Sequence, residues 1–350
     1  MLCKEGGEPL IKGISLVKKR IGLRIKTSLK NRKEIVNQIL KQRIITILFA
    51  IIILVLILIV FFPENFLSFA NLNATFGSIS FDAITAFGMT ILLAGGLIDI
   101  SVGSVMSFVG ASTAAVMKYG GVDVISSIII GLMIAISIGA ANGFIVGKIG
   151  VNPLITTIAM MGGLKGAAIL VVGENRATIS GLPDMFGKFG QYSIFNFQLH
   201  FWIMIGILVI FQYLLSKSRF FRKYYYMGSN KSAAEVSGIN IDNMKVIAFI
   251  LSALFAGVSG ILFAARLAAG TADLGDGAEL RVITAALIGG ASLSGGRGTI
   301  LGTFLGVVFM ALVRNFLILA EIPVYWYGVV VSSVLLVAVI LITFPFASRT

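Results

Sequence analysis

Residues 44–62 read IITILFAIIILVLILIVFF, and Pro63 follows. The stretch carries no charge. As a helix rising about 1.5 Å per residue it would be about 28 Å long, close to the thickness of a bilayer's hydrocarbon core. Lipid offers no partner for backbone N–H and C=O groups, so such a run must be helical and must pair them internally. Working outward, 57% of the 350 residues are hydrophobic and only 12% are charged, with a mean hydropathy of +1.00. A soluble domain carries about a quarter charged residues, so this composition cannot cover a water-facing surface. Further apolar runs lie near 79–98, 101–118, 123–147, 152–172, 198–216, 246–266, 278–293, 298–318 and 323–344. The chain is therefore expected to be an all-α integral membrane protein with about ten transmembrane helices, and Gly-rich broken segments in 79–118 and 278–318. Residues 44–350 form the transmembrane domain and residues 1–43 a basic N-terminal extension. No cleavable signal peptide is expected, because a polar and basic segment precedes the first apolar run.

Lys and Arg set the orientation. Residues 1–43 hold twelve basic residues against Glu5, Glu8 and Glu34, which places the N-terminus in the cytoplasm. With ten spans, loop 217–245 is cytoplasmic too, and it carries Lys217, Arg219, Arg222, Lys223, Lys231 and Lys245. Val17, Ile21, Ile25 and Leu29 recur at helical spacing within the basic extension. It reads either as an amphipathic helix on an anionic leaflet or as a positive tail that only orients the chain. A basic run leading straight into a membrane span does not suit nucleic acid.

The chemistry is bounded by scarcity. One cysteine, Cys3, and one histidine, His200, exclude a disulfide framework and a Cys/His metal cluster. No GxxxxGK[ST] phosphate loop occurs, so the chain is not expected to hydrolyse ATP; no catalytic residue, metal or cofactor is assigned. The sequence has no HExxH, no GxSxG and no paired acids, which argues against an intramembrane enzyme. An ion-coupled carrier would want several buried acids, and Asp99 is the one candidate near a break.

Polar punctuation returns at 231–240, KSAAEVSGIN. Ser232 and Glu235 have capping-box spacing, and Gly238 suits a left-handed stop. A helix of little more than one turn does not persist alone in water, so two caps suggest that it is held against something. Ala233, Ala234, Val236 and Ile239 offer a small apolar face. It reads as a docking knob for another protein or as a loop helix tucked against the bundle. Two Gly-rich breaks, AGGLIDISVGS (94–104) and IGGASLSGGRG (288–298), occupy comparable places and are expected near the pore or its cytoplasmic mouth.

Within these segments Asp99, Ser101, Lys165, Glu279, Arg281, Ser292 and Ser294 are the translocation-path candidates. Asp99 is a costly membrane acid, although a cap by Asp99 or Ser101 on the next helix is the plainer reading. Lys165 snorkels or faces a polar cavity. Glu279 and Arg281 line an outer vestibule or pair at the interface, and Asp82 is expected at the interface. Asn142 reads as an interhelical hydrogen bond. Gly139, Gly143 and Gly147 recur every four residues, as do Gly298, Gly302 and Gly306, which suits close helix packing. Trp202, Tyr325, Trp326 and Tyr327 suit an aromatic belt.

Several motifs in one order carry a resemblance. RKYYYMGSNKSAAEVSGIN (222–240), LIDISVGSVMSFVGA (97–111), ELRVITAALIGGASLSGGRGTILGTFLG (279–306) and YWYGVVVSSVLLVAVIL (325–341) resemble the permease subunits of ribose-type ATP-binding-cassette sugar importers. VNPLITTIAMMGGLKGAAIL (151–170) is a looser match. Arg281 stands where that family usually has an acid. The resemblance implies a membrane pore for a monosaccharide, built from two permease subunits as a homo- or heterodimer. It implies a separate cytoplasmic ATPase docked on a coupling helix at Ser232, Ala233, Ala234, Glu235, Val236, Ser237, Gly238 and Ile239. It also implies an extracytoplasmic binding protein, periplasmic or lipid-anchored, that delivers the sugar. Related permeases carry nucleosides, so the solute stays open.

Overall fold

The structure is a computed structural model that describes residues 44–173, 178–323 and 325–347. Both readings of the basic N-terminus, residues 1–43, lie outside the described residues.

Helices fill all ten expected places, and seven of them are long and apolar enough to cross a membrane. The first, α1 (Ile44–Phe61), is the least buried of the seven along its apolar length, as suits a lipid-facing helix. Pro63 opens a single turn, α2 (Pro63–Phe66). Ser68 then caps α3 (Phe69–Ala94), accepting from Asn71 N at 3.3 Å. This helix starts ten residues before the predicted span. Its first turns are polar, so hydropathy hides them, and they are held by tertiary contacts: Asn71 and Thr75 bond to Asn315.

The next elements are α4 (Val102–Gly120), α5 (Val124–Phe144) with a π turn at Ile145–Ile149, and α6 (Pro153–Val172). Asp123 caps α5 and Asn152 caps α6. An amphipathic helix, α7 (Asp184–Gln191), and a tight hairpin of β2 (Ser193–Ile194) and β3 (Phe197–Gln198) follow the short strand β1 (Thr178–Ile179). Then come α8 (Leu199–Lys217), α9 (Arg219–Ser229), α10 (Lys231–Val236) and α11 (Ile241–Leu267). Strand β4 (Gly270–Thr271) pairs antiparallel with β1. The chain ends with α12 (Ala278–Ile288), α13 (Ile300–Leu319) and α14 (Tyr325–Ala347).

The core is built around α3 and α11. The apolar window of α3 is 83% buried and that of α11 is 61% buried. Glycine decides how closely α11 is approached. Side-chain carbons on Gly139, Gly143 and Gly147 would lie 2.7, 2.6 and 2.7 Å from Ile250 Cα, Val246 Cα and Asp242 O. The four-residue stripe thus seats α5 backbone to backbone on α11. On α13, Gly302 and Gly306 press on the Gly289 and Ala285 carbonyls in the same way. Gly298 does not belong to that helical stripe: it sits in the preceding loop with φ +150.

Span α12 is a half-helix. Its eleven residues cover about 16 Å, roughly half the hydrocarbon core. The irregular segment before it runs back along α4. Gly270 lies on Ala111 and Ala114, Leu274 on Gly110, and Gly275 on Gly103. Gly275 N donates to Ser107 Oγ at 2.9 Å. Non-helical backbone at this depth is tolerated because it is covered by protein and hydrogen-bonded.

Candidate functional site

The loop singled out by sequence folds as two short helices. Ser218 caps α9 by accepting from Phe220 N at 3.2 Å. Asn230 caps α10 by accepting from Ala233 N at 3.0 Å. This corrects the capping box expected from Ser232 and Glu235. Asn230 already supplies the cap, so the helix begins before Ser232 can serve. Glu235 instead faces Lys231 one turn earlier, at 3.8 Å on the surface. Gly238 does adopt the left-handed stop, φ +78, and Asn240 caps α11 at once.

The apolar face splits in two. Ala234 is buried and Ile239 half-buried, whereas Ser232, Ala233, Glu235, Ser237 and Gly238 are exposed. Val236 is 90% exposed. A groove of about 450 Å³ runs between α9 and α10, lined by Arg219, Lys223, Tyr226, Ala233 and Ser237 among others.

Helix α9 joins this knob to both Gly-rich breaks. Its inner face buries Phe221, Tyr224 and Met227. Tyr225 donates its hydroxyl to Gly298 O at 2.8 Å, and burial pushes that phenol up to about 12. Gly228 sits where the breaks meet. A side-chain carbon there would strike the Ala94 carbonyl and come within 2.5 Å of Gly296 N and 3.0 Å of Gly295 Cα. The breaks are tied to each other as well, by Gly296 N donating to Ala94 O at 2.9 Å. Positive φ at Gly96, Gly295 and Gly296 permits these turns at positions where L side chains would be strained. Ser292 Oγ accepts from Ser294 N at 3.3 Å and shapes the second turn, with Ser294 exposed.

Asp99 and Ser101 lie elsewhere, in a wholly buried cluster. Asp99 accepts from Ser101 N at 2.9 Å and Ser101 Oγ at 2.5 Å, and from Ser252 Oγ at 3.4 Å. Asn142 donates to Ser101 Oγ at 3.1 Å, the interhelical bond expected of it. Ser101 occupies the cap position of α4 without a capping side-chain bond. The acid thus ties the first break to α5 and α11, and it does not cap α4 through the helix's own amides.

At the other end of the bundle is a cavity of about 330 Å³. Its wall includes Asn71 near the start of α3 and Ile318 near the end of α13. The opposite end of α3, Ala94, is the one that touches α9. A 26-residue helix spans about 39 Å, so this cavity faces away from the α9–α10 side. Arg281 enters its wall paired with Asp82, Nε and Nη2 each reaching the carboxylate at 3.1 Å. Asp82 lies halfway along α3 rather than at the interface, and both partners are largely buried. Arg266 and Arg314 line the same cavity. Sequence reasoning singled out Arg281 but neither of these two. A charged residue inside a span was the available signal, and Arg314 carries it.

Lys165 pairs with Asp276, which precedes α12. Glu279 covers Gly103, its carboxylate 2.5 Å from where a side-chain carbon would sit. The site candidates therefore fall into separate groups: Ser292 and Ser294 by α9, Asp99 and Ser101 in the core, Arg281 in the far cavity, and Lys165 and Glu279 beside the segment that precedes α12.

A capped, exposed knob is thus wired into two helix breaks, and a polar cavity lies at the opposite end. The family described as branched-chain amino acid transport system / permease component matches residues 71–340. The chain belongs to that permease family. The permease is 33% identical over 84% of its length to the ribose import permease protein RbsC of Escherichia coli (strain K12), covering 91% of that protein. It is 34% identical over 80% of its length to the L-arabinose transport system permease protein AraH of the same organism, covering 84% of it. It is 30% identical over 87% of its length to the autoinducer 2 import system permease protein LsrC of Klebsiella pneumoniae, covering 87% of it. No solved structure matches. The permease is thus an all-α, multi-pass membrane protein.

Proposed function

We propose that the permease is the membrane subunit of an ATP-binding-cassette importer, and that it conducts ribose or a related monosaccharide. An extracytoplasmic binding protein delivers the sugar, a second permease subunit completes the pathway, and a separate cytoplasmic ATPase grips α10. The N-terminus and loop 217–245 face the cytoplasm. The relatives named above, a ribose import permease and an L-arabinose transport system permease by their names, support the solute class.

The observation that carries the coupling role is Val236. A valine that is 90% exposed on a capped single-turn helix is apolar surface waiting for a partner, and hydrophobic burial is the main gain of association. Force applied there has a rigid route inward. Helix α10 follows α9 directly, and α9 locks Gly228 between the two breaks. A small tilt of α9 therefore moves both breaks together, which closes one end of the pathway and opens the other. Asp99, the acid an ion-coupled carrier would use, is already engaged by Ser101 and Ser252.

The test is V236E in the complex reconstituted with its ATPase and binding protein. An exposed site tolerates the change in stability terms, so expression and unfolding temperature should hold while ATP-driven uptake falls about tenfold or more, as expected for the loss of an apolar interface anchor. Unchanged uptake would remove α10 as the docking element.

A further inference from the structure

The charges in the far cavity do not balance. Four ionisable side chains line it: Arg266, Arg281, Arg314 and Asp82. Asp82 is occupied by Arg281 through two hydrogen bonds, so those two form a neutral unit. Arg266 and Arg314 have no acidic partner among the described residues. Each rests instead on an aromatic face, Arg266 over Phe81 at 5.8 Å and Arg314 over Tyr327 at 5.4 Å.

Arg266 crosses α3 at Gly77, its guanidinium occupying the place a side-chain carbon there would take. An arginine kept partly out of water without a counter-ion is costly, and cation–π contact recovers only part of that. Two guanidinium groups lining one cavity each offer forked donors that match a carboxylate or phosphate in two-point geometry. A concave site with one sign of charge also concentrates the opposite ion. Neutral donors and acceptors stand beside them, Thr75, Ser78 and the linked Asn71–Asn315 pair, as a sugar's hydroxyls would require. The volume, about 330 Å³, is at the small end of the range for ligand pockets.

We propose that this cavity binds a monosaccharide-sized anion, a sugar bearing one carboxylate or phosphate, in preference to a neutral sugar. Arg266 and Arg314 hold the anionic group, and the asparagine and hydroxyl side chains meet the rest. As a statement about cargo the proposal rests on the permease reading. As a statement about binding it stands on the cavity alone.

The experiment uses the full chain in nanodiscs of phosphatidylcholine, with thermal unfolding read by intrinsic tryptophan fluorescence. Probes are D-galacturonate, D-ribose 5-phosphate, D-ribose and D-galactose at equal concentration and ionic strength. At least one of the two anions should raise the unfolding temperature while the neutral sugars do not, and which anion acts tells carboxylate from phosphate. R266Q and R314Q should each weaken the anion's apparent affinity by roughly tenfold, the loss expected for a charge-assisted hydrogen bond. Arg314 is exposed, so R314Q tests the idea even if R266Q fails to fold.

Equal shifts from ribose and galacturonate overturn the proposal. So does an anion shift that survives R314Q, or the absence of any shift. A further arm adds phosphatidylglycerol to the discs. If that lipid alone produces the arginine-dependent shift and galacturonate adds nothing, the site belongs to a headgroup and the proposal falls. The two readings fail separately: neutral-sugar uptake that is sensitive to V236E leaves the importer standing and removes only the charge selectivity.

Discussion

Tyr225 shows what a single side chain contributes here. Its hydroxyl reaches across to Gly298 O at 2.8 Å and stitches α9 to the loop before α13. Losing that bond in Y225F should cost about 1 kcal/mol, read as a lower unfolding temperature. Burial raises the phenol from 10.0 to about 12, so the folded state favours the neutral form. Its contribution is complete below pH 10 and is lost as pH rises toward 12. Unfolding followed between those values should show an alkaline loss of stability that is smaller in Y225F; identical pH profiles would contradict this. Residue-scale roles were the least legible in the sequence. Asp82 reads as interfacial until Arg281 is seen across from it, since the pair is 199 residues apart in the chain. Ser232 with Glu235 matches a capping pattern and Asn230 does not, and a pattern does not say which of two nearby oxygens reaches the amide first.

Among the elements, α9 is the one whose position matters most. It carries a glycine where three backbones converge, Gly228 against Ala94, Gly295 and Gly296. In G228A the added methyl has nowhere to go, because its neighbours are backbone. The expected cost is roughly 1–3 kcal/mol from overpacking, with ATP-driven uptake reduced further than stability alone explains. Full uptake with a normal unfolding temperature would show that α9 does not transmit. The long apolar helices and the α5 stripe were plain in the sequence, because hydropathy and four-residue glycine spacing are local signals. The early start of α3, the half-length of α12 and the segment folded back along α4 were not. Each is held by contacts from distant parts of the chain, such as Asn315 on Asn71 and Ser107 under Gly275.

At the scale of the whole molecule the two ends are built differently. The knob at α10 and the arginine-lined cavity lie at opposite ends of α3, so they should open to opposite sides of the membrane. In a C3S background, V236C is expected to label only from the cytoplasmic side and I318C only from outside, using an impermeant maleimide on intact cells and inverted vesicles; both positions are well exposed. Labelling of both from one side would break the transport geometry. What the sequence alone determined was the all-helical membrane class, the position of the polar loop 217–245 and the two Gly-rich breaks. All of these follow from composition and short-range spacing, which the bilayer and the backbone read directly. Only tertiary structure decided that the breaks converge on Gly228, that Asp99 is a buried tie and that three arginines share one cavity. Those facts depend on which groups meet from separate parts of the chain, and meeting is a property of packing that no local pattern encodes.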